Sequence, residues 1–107
     1  MIVVTTDTVA DHAITKTLGT VIGNTIRARH LGKDISAGLR SLVGGEITEY
    51  TGMMAESREQ ALLRMLDRAE KLNADAIVGV RFQTSMIMQG SAELLVYGTA
   101  VNLKQNK

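Results

Sequence analysis

Residues 76–103 read AIVGVRFQTSMIMQGSAELLVYGTAVNL. In the first half, Ala76, Val78, Val80, Phe82, Thr84, Met86 and Met88 fall on one side. Ile77, Gly79, Arg81, Gln83, Ser85 and Ile87 fall on the other, which is the period-two pattern of a strand. A turn at Gln89-Gly90 returns the chain as a second strand over Ala92–Leu103. This return strand is apolar on both sides, with Leu94, Val96 and Ala100 on one and Leu95, Tyr97, Val101 and Leu103 on the other. A strand of that kind is buried on both faces.

Working outward, the segment before the hairpin has helical spacing. Ile47, Thr51, Met54, Arg58, Ala61, Met65, Ala69 and Leu72 recur every three or four residues, so one long helix is expected over 47–72. Asn73 is its left-handed stop. Upstream, Thr17–Arg29 alternates as a strand. Leu18, Thr20, Ile22, Asn24, Ile26 and Ala28 lie on one face, with Gly19, Val21, Gly23, Thr25, Arg27 and Arg29 on the other. Two glycines on one side weaken a strand unless another backbone packs close to it. Between strand and helix, Asp34 reads as the N-cap of a short helix with the stripe Ile35, Leu39, Leu42 and Val43, ended by Gly44-Gly45. Ile2–Thr6 is a short β-branched strand. The expected fold is therefore α+β, a twisted, mainly antiparallel sheet packed on one long helix plus a short helix. One helix covers one face of such a sheet. The other face calls for a second subunit, so a homo-oligomer is expected.

The chain has 107 residues, enough for a single domain over 1–107. It is 45% hydrophobic and 21% charged, which excludes intrinsic disorder. With no Cys, disulfides, thiolate metal sites and thiol catalysis are excluded. A net charge of +1 and three aromatic residues argue against a nucleic-acid platform. The first residues lack the basic start and apolar run of a signal peptide, and no long uncharged window reads as a membrane span. Cytoplasmic residence is the expectation.

Asp7, Asp11 and His12 offer carboxylates and an imidazole within six residues, a set that could hold a weakly bound divalent ion, but a solvated loop between strands is the expected role. His30 is the only other histidine. Met86 and Met88, and the adjacent Met53 and Met54, carry thioethers suited to Cu(I), but core filling is the expected role. Glu46 and Glu49 suit the positive end of the long helix rather than an acid/base pair. Arg27, Arg29, Lys33 and Arg40 form the one basic cluster. Beside a helix start they suit a phosphate or carboxylate, or pair with acidic residues of a neighbouring subunit. No nucleophile elbow, zinc-protease motif or phosphate loop is present, and a non-enzymatic role is expected.

The ordered pattern resembles the YbjQ-like family of small bacterial proteins, labelled a heavy-metal-binding domain. The resemblance rests on Leu18-Gly19-x-Val21-x-Gly23, Lys33-Asp34-Ile35, Ala37-Gly38-Leu39-Arg40 and Gly44-Gly45 followed by Tyr50. It continues through Ala55-x-x-Arg58-x-x-Ala61-Leu62, Asn73–Val80 and Gly98-Thr99-Ala100-Val101. It implies a dodecin-like subunit in a ring-shaped homo-oligomer, most simply a pentamer, with a divalent or heavy-metal ion as ligand. Its pattern contains neither histidine and no Cys, so it transfers no metal ligand. Gly23, Gly79 and Gly98 would allow close strand approach, Asp34 would cap a helix, and Arg40 and Arg58 would bridge elements or subunits.

Overall fold

The computed structural model describes residues 1–28, 42–43, 46–88 and 90–106. In chain order the elements are β1 (Ile2–Val3), β2 (His12–Ala28), β3 (Leu42–Val43), β4 (Glu46–Ile47), α1 (Thr48–Lys71), β5 (Ala76–Met88) and β6 (Ser91–Gln105). The main sheet runs β1-β5-β6-β2, and β3 and β4 pair separately. Among the described strands β1 and β5 pair in parallel, while β2–β6 and β5–β6 are antiparallel. This is the expected α+β sheet on one long helix.

The seventeen residues of β2 span about 56 Å at the usual rise per strand residue, which accounts for the 57 Å long axis of the molecule. The 24 residues of α1 cover only about 36 Å. One helix is too short to roof the sheet from end to end.

The helix lies on β2 and β6. Ala61, Met65 and Ala69 are fully buried, and so is Ser57. These residues are spaced by four and share one side of the helix. Beneath them, Val21, Ile77, Val80, Leu94, Val96 and Ala100 complete the main core. Gly23 is the point of contact. A Cβ there would sit 2.0 Å from the carbonyl oxygen of Ala61 and 2.6 Å from the amide nitrogen of Met65. The glycine face of β2 is thus the face on which a helix backbone rests.

A second cluster, Ala76, Val78 and Val101 with Val4, Val9 and Leu103, occupies the opposite side of the sheet. The N-terminal segment therefore covers part of the face that the sequence reading left bare. Arg81 fastens that segment by donating from Nη1 to the Thr5 carbonyl at 2.9 Å.

Three expectations are corrected. Strict alternation in β5 fails at Gly79, where φ is +62° and the pairing register shifts between Val78 and Arg81. The extra residue moves Val80 to the helix side with Ile77, while Val78 stays behind. Opposite this bulge, a Cβ on Gly98 would lie 2.7 Å from Ile77 Cγ2. Second, Leu42 and Val43 do not extend a helix. They pair with Ile47 and Glu46 as a small hairpin; a Gly-Gly dipeptide between β-favouring residues is a hairpin signal as much as a helix stop. The remaining residues of the expected short helix lie outside the described residues. Third, Ser57 rather than Arg58 takes the buried helix position, and Arg58 is exposed.

Candidate functional site

The N-terminal acidic group is a turn. Asp11 has φ +61°, and the His12 amide donates to the Val9 carbonyl at 3.2 Å. His12 opens β2, and its Nδ1 donates to the Ala10 carbonyl at 2.7 Å, since a carbonyl only accepts. Asp7 and Asp11 are exposed. Among the described residues, no three His, Asp or Glu side chains gather to hold a metal ion. Without cysteine, these donors do not fit a heavy-metal centre within one chain.

Arg27 is tied inward. Its Nε donates to Ser57 Oγ at 2.9 Å and its Nη2 to Gln60 Oε1 at 2.7 Å, while Glu56 lies 4.0 Å away. Ser57 Oγ in turn donates to the Met53 carbonyl, and Thr25 Oγ1 donates to the Ser57 carbonyl. A polar ladder thus joins β2 to α1 beneath the helix. Ser57→Ala removes the acceptor of a two-thirds buried guanidinium and should cost about 1–2 kcal/mol; a lower urea midpoint at unchanged slope checks it. Arg29, His30, Lys33, Asp34, Arg40, Gly44 and Gly45 lie outside the described residues. Glu46 belongs to β4 and Glu49 to the first turn of α1.

At the sheet edge α1 does something that no local pattern of residues announces. Arg64 Nη1 donates to the Asn24 carbonyl at 2.7 Å, and Arg68 Nη1 to the Ile22 carbonyl at 2.6 Å. Spaced by four beside the buried stripe, the two arginines occupy edge groups that a neighbouring strand would otherwise take. They also line a shallow groove of about 460 Å³ with Gln60, Leu63, Asp67 and Lys71, in which Lys71 and Asp67 pair at 3.0 Å.

Across the same stretch of the sheet lies an apolar arm. Every residue of β5 from Arg81 to Met88 is exposed. Met86 is 80% and Met88 64% exposed, so neither fills a core as expected. Nor do they point the same way. Met86 pairs with Ala92, Met88 pairs with Ser91, and the register shifts between them. On the helix side of the arm stand Phe82 and Met86. On the other side stand Ile22, Ile26 and Tyr97, all at least a third exposed. With Ile87 and Met88, at about 200 Å² per large side chain, these leave on the order of 750 Å² of apolar surface in water.

Comparison with known proteins places this geometry. A family model described as "Putative heavy-metal-binding" matches residues 1–104. The chain is 62% identical over 103 residues to a UPF0145 protein of Methanosarcina acetivorans, covering 96% of this chain and 97% of the relative. It is 55% identical over 105 residues to a UPF0145 protein of Fervidobacterium nodosum, covering 98% and 97%. Relatives thus occur in archaea as well as bacteria. Among solved structures it is similar to a DUF74 family protein of unknown function from Pediococcus pentosaceus, with TM-score 0.70 at 18% identity over 97% of this chain and 98% of that one. That likeness concerns the fold. By the family match over nearly its whole length, the chain belongs to the YbjQ-like, UPF0145 family.

Proposed function

We propose that this chain is the subunit of a closed homo-oligomeric ring, most simply a pentamer of dodecin-like subunits, that serves in the cytoplasm as a non-enzymatic binding module. The single observation that carries the reading is the apolar arm. Its exposed apolar surface, summed over both faces, is on the order of 750 Å². It is divided between two opposite faces, Phe82 and Met86 on one and Ile22, Ile26 and Tyr97 on the other. Two different patches on one subunit suit head-to-tail contacts, which form rings where the rotation between subunits closes. Among the described residues no helix is long and apolar enough to cross a membrane.

The ligand is a heavy-metal ion, as the family description has it, or a small anion. In either case the site draws on more than one subunit. Ion retention tests this. The purified assembly is loaded, dialysed and measured by elemental analysis, and phosphate binding is measured by calorimetry. Stoichiometric retention that disappears when the subunits are separated supports a shared site. A second reading, an assembly that presents a surface to proteins and holds no small ligand, is favoured by the inward engagement of Arg27. Absence of both metal retention and phosphate binding in an intact ring would establish it over the first.

A further inference from the structure

The groove along α1, beside the outer edge of β2, presents hydrogen-bond donors and little else that is polar. Three cations, Arg64, Arg68 and Lys71, against the single carboxylate of Asp67 leave it a charge of +2. The Asn24 and Ile22 carbonyls hold the two guanidinium groups at Nη1, at 2.7 and 2.6 Å. A carbonyl is neutral, so each guanidinium keeps its charge, and the contact uses one of its five N–H donors. Arg27 differs, since Ser57, Gln60 and Glu56 surround it. Gln60 adds to the donor set. Its Oε1 accepts from Arg27 Nη2 at 2.7 Å, which leaves the amide nitrogen to donate. Asp67 is engaged by Lys71 in an exposed pair, of the kind an incoming anion displaces at little cost. Among the described residues β2 is the last strand of the sheet. The N–H and C=O of one strand residue point the same way, so the Ile22 and Asn24 amides face outward beside the arginines that hold their carbonyls.

We propose that this groove binds the phosphate group of a small phosphate monoester. Arg64 and Arg68 stand one helical turn apart, about 6 Å between Cβ atoms, so both forks can converge on one phosphate. The charge of the groove complements the charge of about −2 that a phosphate monoester carries near neutral pH. Guanidinium groups held in place beforehand lose less side-chain freedom on binding. The volume of about 460 Å³ lies in the range of small-molecule sites and exceeds what a lone phosphate needs. Leu63, 59% exposed in the groove lining, meets the organic part of the ester. A carboxylate, with two acceptor atoms and one charge, would leave more of these donors unused. All the lining residues belong to one helix of one subunit. The site is therefore separate from the shared one proposed above and does not depend on assembly.

Calorimetry of the wild-type protein in a buffer free of phosphate and sulfate tests this. Glycerol phosphate is the probe, with glycerol and inorganic phosphate as references. The expected result is one saturable ester site per chain, weakened by added salt, and no binding of glycerol. Arg64→Gln combined with Arg68→Gln should weaken the ester about a hundredfold or more. The far-ultraviolet circular dichroism should not change, because both side chains are exposed. Lys71→Gln touches only the exposed pair with Asp67 and should weaken the ester severalfold; it decides the matter if the double variant fails to fold. No saturable ester binding to the folded wild type overturns the proposal, and so does tighter binding of inorganic phosphate than of the ester. Ester binding that survives both arginine changes overturns this site and leaves the proposed function, whose anion site draws on several subunits, standing.

Discussion

Gly23→Ala will lower the stability of this protein by about 3 kcal/mol or more, at the upper end of what overpacking costs. One methyl group is enough, because its position lies 2.0 Å from the Ala61 carbonyl oxygen and 3.0 Å from Met65 Cβ. The first neighbour is helix backbone and cannot rotate away. Relief requires α1 to lift from β2, which breaks the contacts of Met65, Ala61 and Ala69 with the core and stretches the Arg27–Ser57 link. Gly52→Ala is the matched control. Nothing lies within 4 Å of its new methyl group, and alanine inside a helix is favoured over glycine by about 1 kcal/mol. The two changes are chemically identical and should move the thermal midpoint in opposite directions. Equal and small effects would mean that α1 does not rest on Gly23.

The second large effect is on assembly. Ile26→Asp combined with Met86→Asp places a carboxylate on each face of the arm. Both side chains are exposed in the single chain, at 59% and 80%, so the subunit itself should lose no more than about 0.5 kcal/mol. Within an interface, each unpaired buried charge costs several kcal/mol, weakening association by roughly a thousandfold or more. Light scattering should report a folded monomer, whose thermal midpoint is lower than wild type because association no longer stabilises it. A variant that assembles as before speaks against an arm interface.

Much of this fold was legible because one physical signal dominated each long element. Alternation located the bounds of β5 at 76–88 though not its faces beyond Gly79, and the two-sided apolar pattern of β6 announced cores on both faces, Leu94 and Val96 under the helix and Val101 behind. What escaped depended on partners far away in sequence. Ser57 looks like a surface residue until Arg27 and Thr25 arrive beneath it. Gly79 looks like a weak spot in a strand, yet its positive φ resets the face of Val80. Arg64 and Arg68 read as ordinary helix charges, since nothing local says that two strand carbonyls lie within reach. Methionines at apolar strand positions suggested a core, but α1 lies on β2 and β6 and leaves Met86, on β5, uncovered. The acidic residues and His12 shared a short stretch of sequence, and the turn at Asp11 spread them apart rather than gathering them.

The mass of the native particle tests the account most directly. Light scattering of the wild-type protein across a wide concentration range should give a discrete, concentration-independent homo-oligomer, a pentamer in the ring proposed here. A chain that stays monomeric at micromolar concentration, with Phe82, Met86 and Ile26 left in water, would contradict it.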